Sequence, residues 1–268
     1  MNEIQLPNER LVAANSSQAT QVEQARAVAE VQAAVTVAQS VPRDIGRAEA
    51  EMRDTCSRKA VAETAFYQVP NRGSGPTVHL ARELARIYGN VDYGVRELRR
   101  DDAAGESEVQ AYAWDQEKNV RSTRSFIVPH ARMKKRERQK LTDLGDIYLN
   151  NQNQGAKAVR ECIYTILPDW FIAEAEAVCR QTLQQGEGEP LQDRVQKMLN
   201  VFQPYQVTEQ RIADKLGKPR TAWTAGDLQE LTIIYGTLSR NEATVDELFP
   251  NNPDQIQVNE LTGEVQQQ

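Results

Sequence analysis

Two histidines, three cysteines and no lysine or arginine beyond Arg240 are the scarcities that bound this chain. His79 and His130 stand apart with no neighbouring cysteine, so the clustered ligands of a zinc site are missing. Cys56, Cys162 and Cys179 are widely spaced and odd in number. They argue against a disulfide framework, fit a reducing cytoplasm, and read most simply as small buried apolar residues. No apolar run reaches the roughly 18 residues that a spanning helix needs. With a mean hydropathy of −0.64, no contact with a membrane is expected. The opening MNEIQLPNER has neither the basic nor the apolar region of a secretory leader, which again predicts a cytoplasmic protein.

A phosphate cradle is missing too. NRGSGP has no lysine followed by serine or threonine, and LGKPRT has no glycine at the right distance upstream. ATP-driven chemistry is therefore not expected, and neither is a cofactor.

Positive charge is abundant but unevenly placed. The net charge is −6, yet residues 241–268 hold six acids and no base, which leaves residues 1–240 with 32 acids and 32 bases. The acidity lives in the tail, read either as a solubilising segment or as an interaction tail. By contrast, Arg121 to Lys140, RSTRSFIVPHARMKKRERQK, carries eight lysines or arginines and a single acid, Glu137.

Periodicity predicts an α+β protein. Residues 1–20 are polar and weakly patterned and are expected to be disordered. A helix is expected over 21–40, stopped by Pro42, and a second over 45–65. Phe66 to Val69 reads as a strand, PNRGSG as a loop, and Pro76 as the start of a helix closed by Gly89 and Asn90. VDYGVRELRR, SEVQAYAWD and VRSTRSFIVPH alternate with period two across short polar turns, and strands so close together must form an antiparallel meander. A basic loop follows. A long helix over 141–167 is then predicted, with Thr142 as N-cap and Gly145 and Gly155 as possible interruptions. Another helix is predicted over 169–185, and GEGEP reads as a linker.

Residues 190–249 are expected to form a small all-helical module, with Thr208 and Thr224 as caps and Asp227 completing a capping box. The acidic segment 250–268 is expected to be disordered. The division is thus 1–20, a core over 21–185, the module over 190–249, and the tail over 250–268.

Three readings compete for the function. The first rests on Glu108 and Gln110, on one strand face with Asp101 and Asp102 upstream; these could hold Mg²⁺ in a nuclease or other DNA-processing enzyme. The plainer reading of these residues is a charged turn and a solvated strand face. The second is an adaptor whose helices bind other proteins and whose basic loop is a solvated surface. The third is a nucleic-acid groove. Arg121 and Arg124 on the last strand, Arg132, Lys134 and Lys135 in the loop, and Lys157 and Arg160 three apart on the next helix could line one positive surface. Such a groove follows a phosphate backbone without reading sequence. Tyr93, Tyr112, Trp114, Phe126 and Tyr148 could stack on bases, although core packing is the simpler role for Trp114 and Phe126. Tyr148 and NNQNQ (150–154) are better placed for polar contact.

The order helix, meander, long basic helix resembles the annealing core of phage single-strand annealing proteins of the RecT, Redβ and Erf group and their eukaryotic Rad-type relatives. HLARELARIYGNVDYGVREL resembles the passage from helix to first strand, and LTDLGDIYLNNQNQGAKAVRECIYTIL the helix whose cations hold DNA, with Lys157 and Arg160 where those cations fall. The residues after about 205 resemble a helical module that follows such cores. The long MKKRERQK loop departs from the pattern. The resemblance implies a non-enzymatic protein in the cytoplasm of a bacterial host. It would bind single-stranded DNA and the annealed duplex, form a homo-oligomeric ring or filament, and anneal strands without ATP. It would meet a partner exonuclease or single-strand-binding protein through the module or the tail.

Overall fold

The computed structural model describes residues 18–70, 73–134 and 137–249, and two short antiparallel strands, Gln257–Val258 and Val265–Gln266. Most of the expected disordered segments, 1–20 and 250–268, therefore lies outside the described residues.

The first helix, α1 (Gln18–Ser40), begins slightly earlier than its apolar pattern suggests. Ala38 is its one buried residue, and Val22, Val28, Val31 and Val37 are exposed. Asp44 caps α2 (Ile45–Cys56) by accepting from the Arg47 amide at 3.0 Å. The expected single helix over 45–65 is two. Arg58 is extended (φ −81°, ψ 124°) and starts α3 (Lys59–Thr64). Alanine spacing runs through the break unchanged, which hides it from the sequence. The Thr182 hydroxyl donates to the Cys56 carbonyl at 3.1 Å.

Strand β1 (Phe66–Val69) pairs with β2 (Gly73–Pro76), so part of the expected loop is a hairpin. Pro76 sits opposite Phe66, and the helix α4 (Val78–Tyr88) starts two residues after it with Thr77 as cap. The Thr77 hydroxyl accepts from the Leu80 amide and donates to the Thr64 carbonyl. Gly89 and Asn90 end α4 with positive φ.

The meander forms as expected, with β3 (Val91–Asp101), β4 (Glu106–Asp115) and β5 (Val120–Pro129) in order 3-4-5 and antiparallel throughout. Cross-strand partners share a face. Val95, Ala111 and Arg124 therefore point one way, and Asp92, Trp114 and Arg121 the other. Val109, Ala111 and Ala113 are fully buried under α5 (Leu144–Ile166). Asp143, not Thr142, caps α5 by accepting from the Asp146 amide at 3.0 Å. Neither glycine interrupts it. At Gly155 an added Cβ would come within 2.6 Å of Val95, so the missing side chain sets how closely helix and sheet approach.

Behind this layer, α6 (Asp169–Gln185) closes a core built on Phe171, Leu84, Met52 and Ile163. The three cysteines are buried and free, as expected. After Gly186, α7 (Leu191–Phe202), α8 (Glu209–Leu216), α9 (Ala225–Ser239) and α10 (Val245–Leu248) surround Phe202, Phe249, Trp223 and Leu231. Thr208, Thr224 and Thr244 cap three of these helices, and Thr224 forms the predicted capping box with Asp227. Val69 of β1 belongs to the same cluster. Thr237 Oγ1 accepts from the Gln68 amide at 3.0 Å, and Arg240 donates to the Phe66 carbonyl at 2.9 Å. At the other end, Arg194 donates to the Leu183 and Gln184 carbonyls, filling acceptors left open at the end of α6.

Candidate nucleic-acid interface

The expected single groove is divided. Lys157 and Arg160 do share a face of α5, since residues three apart on a helix are neighbours. That face runs beside the β1–β2 hairpin. The Arg160 guanidinium lies 5.0 Å from the centre of the Tyr67 ring, and Tyr164, one turn on, donates to the Thr77 carbonyl at 3.3 Å. Burial works against the charge on Arg160, but Glu161 at 2.8 Å and the Tyr67 hydroxyl more than offset it, holding its pKa above the ordinary arginine value. Lys157 is exposed, and its Nζ donates to Gln154 at 3.3 Å. The helix therefore presents a guanidinium held by Glu161 and the Tyr67 ring beside an exposed ammonium.

Arg124 leaves the sheet on the α5 side and forms no ion pair among the described residues. Arg121, expected beside it, points to the opposite side. The cause is the period of two: residues three apart on a strand fall on opposite faces.

The basic loop is partly ordered into a second hairpin, β6 (Ala131–Lys134) and β7 (Glu137–Lys140). Arg132 is exposed and sits 3.8 Å from Asp146, which moderates its charge. The Lys134 side chain and Lys135 lie outside the described residues. Tyr148 is 57% exposed near the start of α5, open to solvent contact. Within 150–154, Asn150 and Asn151 turn inward while Asn153 and Gln154 stay exposed. Asn150 donates to the Pro129 carbonyl at 3.1 Å, and Asn151 is buried.

The base of the second hairpin is held by His130. Its amide donates to the Gly105 carbonyl at 2.7 Å, and its carbonyl accepts from Leu141 at 2.8 Å. Its Nε2 lies 2.9 Å from Ser107 Oγ, which donates to Glu97 at 2.8 Å, while Nδ1 faces Asp102 at 3.8 Å. Serine, histidine and aspartate meet here, but Ser107 is fully buried and the hydroxyl proton is committed to Glu97. The contacts clamp the hairpin to the meander. Glu108 faces outward between Arg99 and Ile127, while Asp101 and Asp102 are held by Arg99 at 2.6 Å and Arg100 at 2.7 Å. No cluster of three metal-ligating side chains occurs among the described residues.

No family model, curated protein or solved structure matches this chain.

The aromatics divide by face. Tyr93 and Phe126 pack against the core, whereas Tyr112 and Trp114 lie on the outer face. Trp114, expected in the core, is only half-buried, and its Nε1 donates to Asn119 at 3.3 Å. Sequence reasoning missed Tyr67 and Arg96. Tyr67 sits in the strand next to the loop, and nothing local announces that α5 will lie beside it. Arg96 was legible as an outward residue of an alternating strand, but not as a neighbour of Arg121 across Tyr112. No described helix is long and apolar enough to cross a membrane. A cavity of about 420 Å³ between α3, α6, α7 and α9 contains Arg194, Lys197 and Arg240, each already engaged by a carbonyl or carboxylate.

Proposed function

We propose that this protein binds single-stranded DNA along the face of α5 that carries Lys157 and Arg160, and anneals complementary strands without ATP. The observation that carries this reading is the placement of Arg160 over Tyr67 with Lys157 one turn away. It gives a cation whose plane is held by an aromatic ring, so less freedom is lost when a phosphate binds in competition with Glu161, which Arg160 now meets through Nε and one terminal nitrogen. Each such contact releases counterions and is indifferent to base sequence, as annealing requires. Arg124 on the same side of the sheet extends the positive path. The order of elements, α4 then the meander then α5, also supports the reading, since it is the order that the sequence shares with phage annealing proteins.

Action as an oligomer belongs to the same proposal. α1 leaves four valines exposed along its length. β3 and β5 are edge strands that pair with no strand but β4 among the described residues, and open edges invite another chain. The test is to mix complementary oligonucleotides with the protein in EDTA and without nucleotide. Faster duplex formation than in buffer supports the proposal; degradation of the strands on adding Mg²⁺ would favour a nuclease; no effect on either would refute both.

A further inference from the structure

The outer face of the meander carries a second cationic device that the α5 path does not use. Tyr112 lies across Gly94, where an added Cβ would meet the ring at 3.1 Å and push it away by a few tenths of an ångström, so the missing side chain lets the ring approach β3 closely. Two guanidiniums rest against the ring, Arg96 at 4.5 Å and Arg121 at 5.5 Å from its centre. Both arginines are exposed, and neither has an acidic partner among the described residues, although most arginines here are paired. Asp92 is the nearby acid, and the Tyr112 hydroxyl occupies it at 3.4 Å. Trp114 lies beside them, half-exposed, and Thr123 and Ser125 complete a polar floor on β5.

We propose that this face holds a second nucleic-acid strand, Arg96 and Arg121 meeting its phosphates and Trp114 offering a stacking edge. The proposal rests on the reading of the α5 face as the first strand's site. Tyr112 is 8% exposed, so it is a positioning residue beneath the two arginines and not itself a stacking platform. Guanidiniums fixed on an aromatic ring keep their donors aimed outward and recognise phosphate through planar, paired hydrogen bonds. A nucleic-acid strand is favoured over a protein partner because the two arginines outnumber Asp92, the acid in the same cross-strand row as Arg121, and leave this end of the sheet net positive. The acids Glu106 and Glu108 lie toward the opposite end. One strand on α5 and another on the sheet's open face would be concentrated on one protein without competing for the same cations.

The test uses the full chain. A first dye-labelled oligo(dT) is bound to saturation, and capture of a second oligo(dT) carrying another dye is read by energy transfer. Arg96→Gln with Arg121→Gln should leave the first strand's affinity within about twofold and weaken capture of the second by roughly tenfold, in line with losing two phosphate contacts. Arg96→Lys with Arg121→Lys should fall between, because charge is kept and the planar stack is lost. Lys157→Ala with Arg160→Ala should weaken the first strand instead. Unchanged second-strand capture in the glutamine variant would overturn the proposal while leaving the α5 reading intact, and so would a loss that merely follows a change in oligomer size. If the alanine variant leaves first-strand binding untouched, the α5 reading fails on its own.

Discussion

Arg121 and Arg124 sit three residues apart on β5 and project from opposite faces of the same sheet. Arg124 lies across from buried Ala111 on the side that α5 covers, and Arg121 across from Trp114 on the open side. A charge run that reads as one patch along the sequence is therefore two surfaces in space. The side that continues into α5 carries Lys157 and Arg160; the other carries Arg96 and Tyr112.

The close approach of α5 to the sheet makes Gly155 sensitive. An added methyl group must push Val95 or lift the helix, so Gly155→Ala should destabilise the protein by about 1–3 kcal/mol despite alanine's better helix propensity. Urea unfolding gives the value. Combining it with Val95→Ala should cost less than the sum of the two single changes, because the second removes the atoms that the first would strike. Strict additivity would mean that the two positions do not meet.

Much of this arrangement was legible beforehand. The meander could be read because alternating strands joined by short polar turns admit only antiparallel pairing. α6 could be read because Pro168 and Gly186 punctuate an unbroken pattern. Caps at Thr208 and Thr224 followed from hydroxyl chemistry. The break at Arg58 was invisible because alanines fit either a continuous or a broken helix, and Gly155 was ambiguous because the sequence cannot tell a helix breaker from a close contact. Lys157 and Arg160 followed from helical spacing alone. Their aromatic neighbour Tyr67 did not, since that contact joins residues far apart in the chain.

Arg43 is the buried counterpart of these surface cations. It binds Asp115 through both oxygens at 2.6 and 2.7 Å, reaches Glu117 at 3.1 Å, and lies 4.0 Å over the Tyr88 ring. It ties the segment after α1 to the end of β4. Arg43→Ala should cost about 3–5 kcal/mol, because Asp115 would remain buried without its partner. A chemical-denaturation difference below about 1 kcal/mol would show that the latch is not structural.

Asp227 supplies a pH-dependent element. Burial raises its pKa, but Lys218 at 2.7 Å, the Thr224 hydroxyl and the Thr224 amide lower it further, and the net value falls below the ordinary range. A carboxylate with a depressed folded pKa stabilises fully above its unfolded value, near about 3.9, and loses that contribution as pH falls through the folded value. Asp227→Asn should therefore lower stability by about 1 kcal/mol at neutral pH, as loss of a helix cap does. The gap from wild type should close as pH is lowered below 4. Thermal melts at several pH values check this; a gap that widens on acidification has the wrong sign.

The central claim is that Lys157 and Arg160 hold a nucleic-acid backbone, and the salt dependence of binding tests it most directly. Single-strand affinity should be titrated at several salt concentrations for wild type and for Lys157→Ala with Arg160→Ala. Each phosphate contact contributes about −0.7 to the logarithmic slope for a single strand. The account predicts weaker binding and a slope shallower by about 1.4 in the folded double variant, the loss of two such contacts. An unchanged slope in a variant that retains the wild-type fold would contradict it.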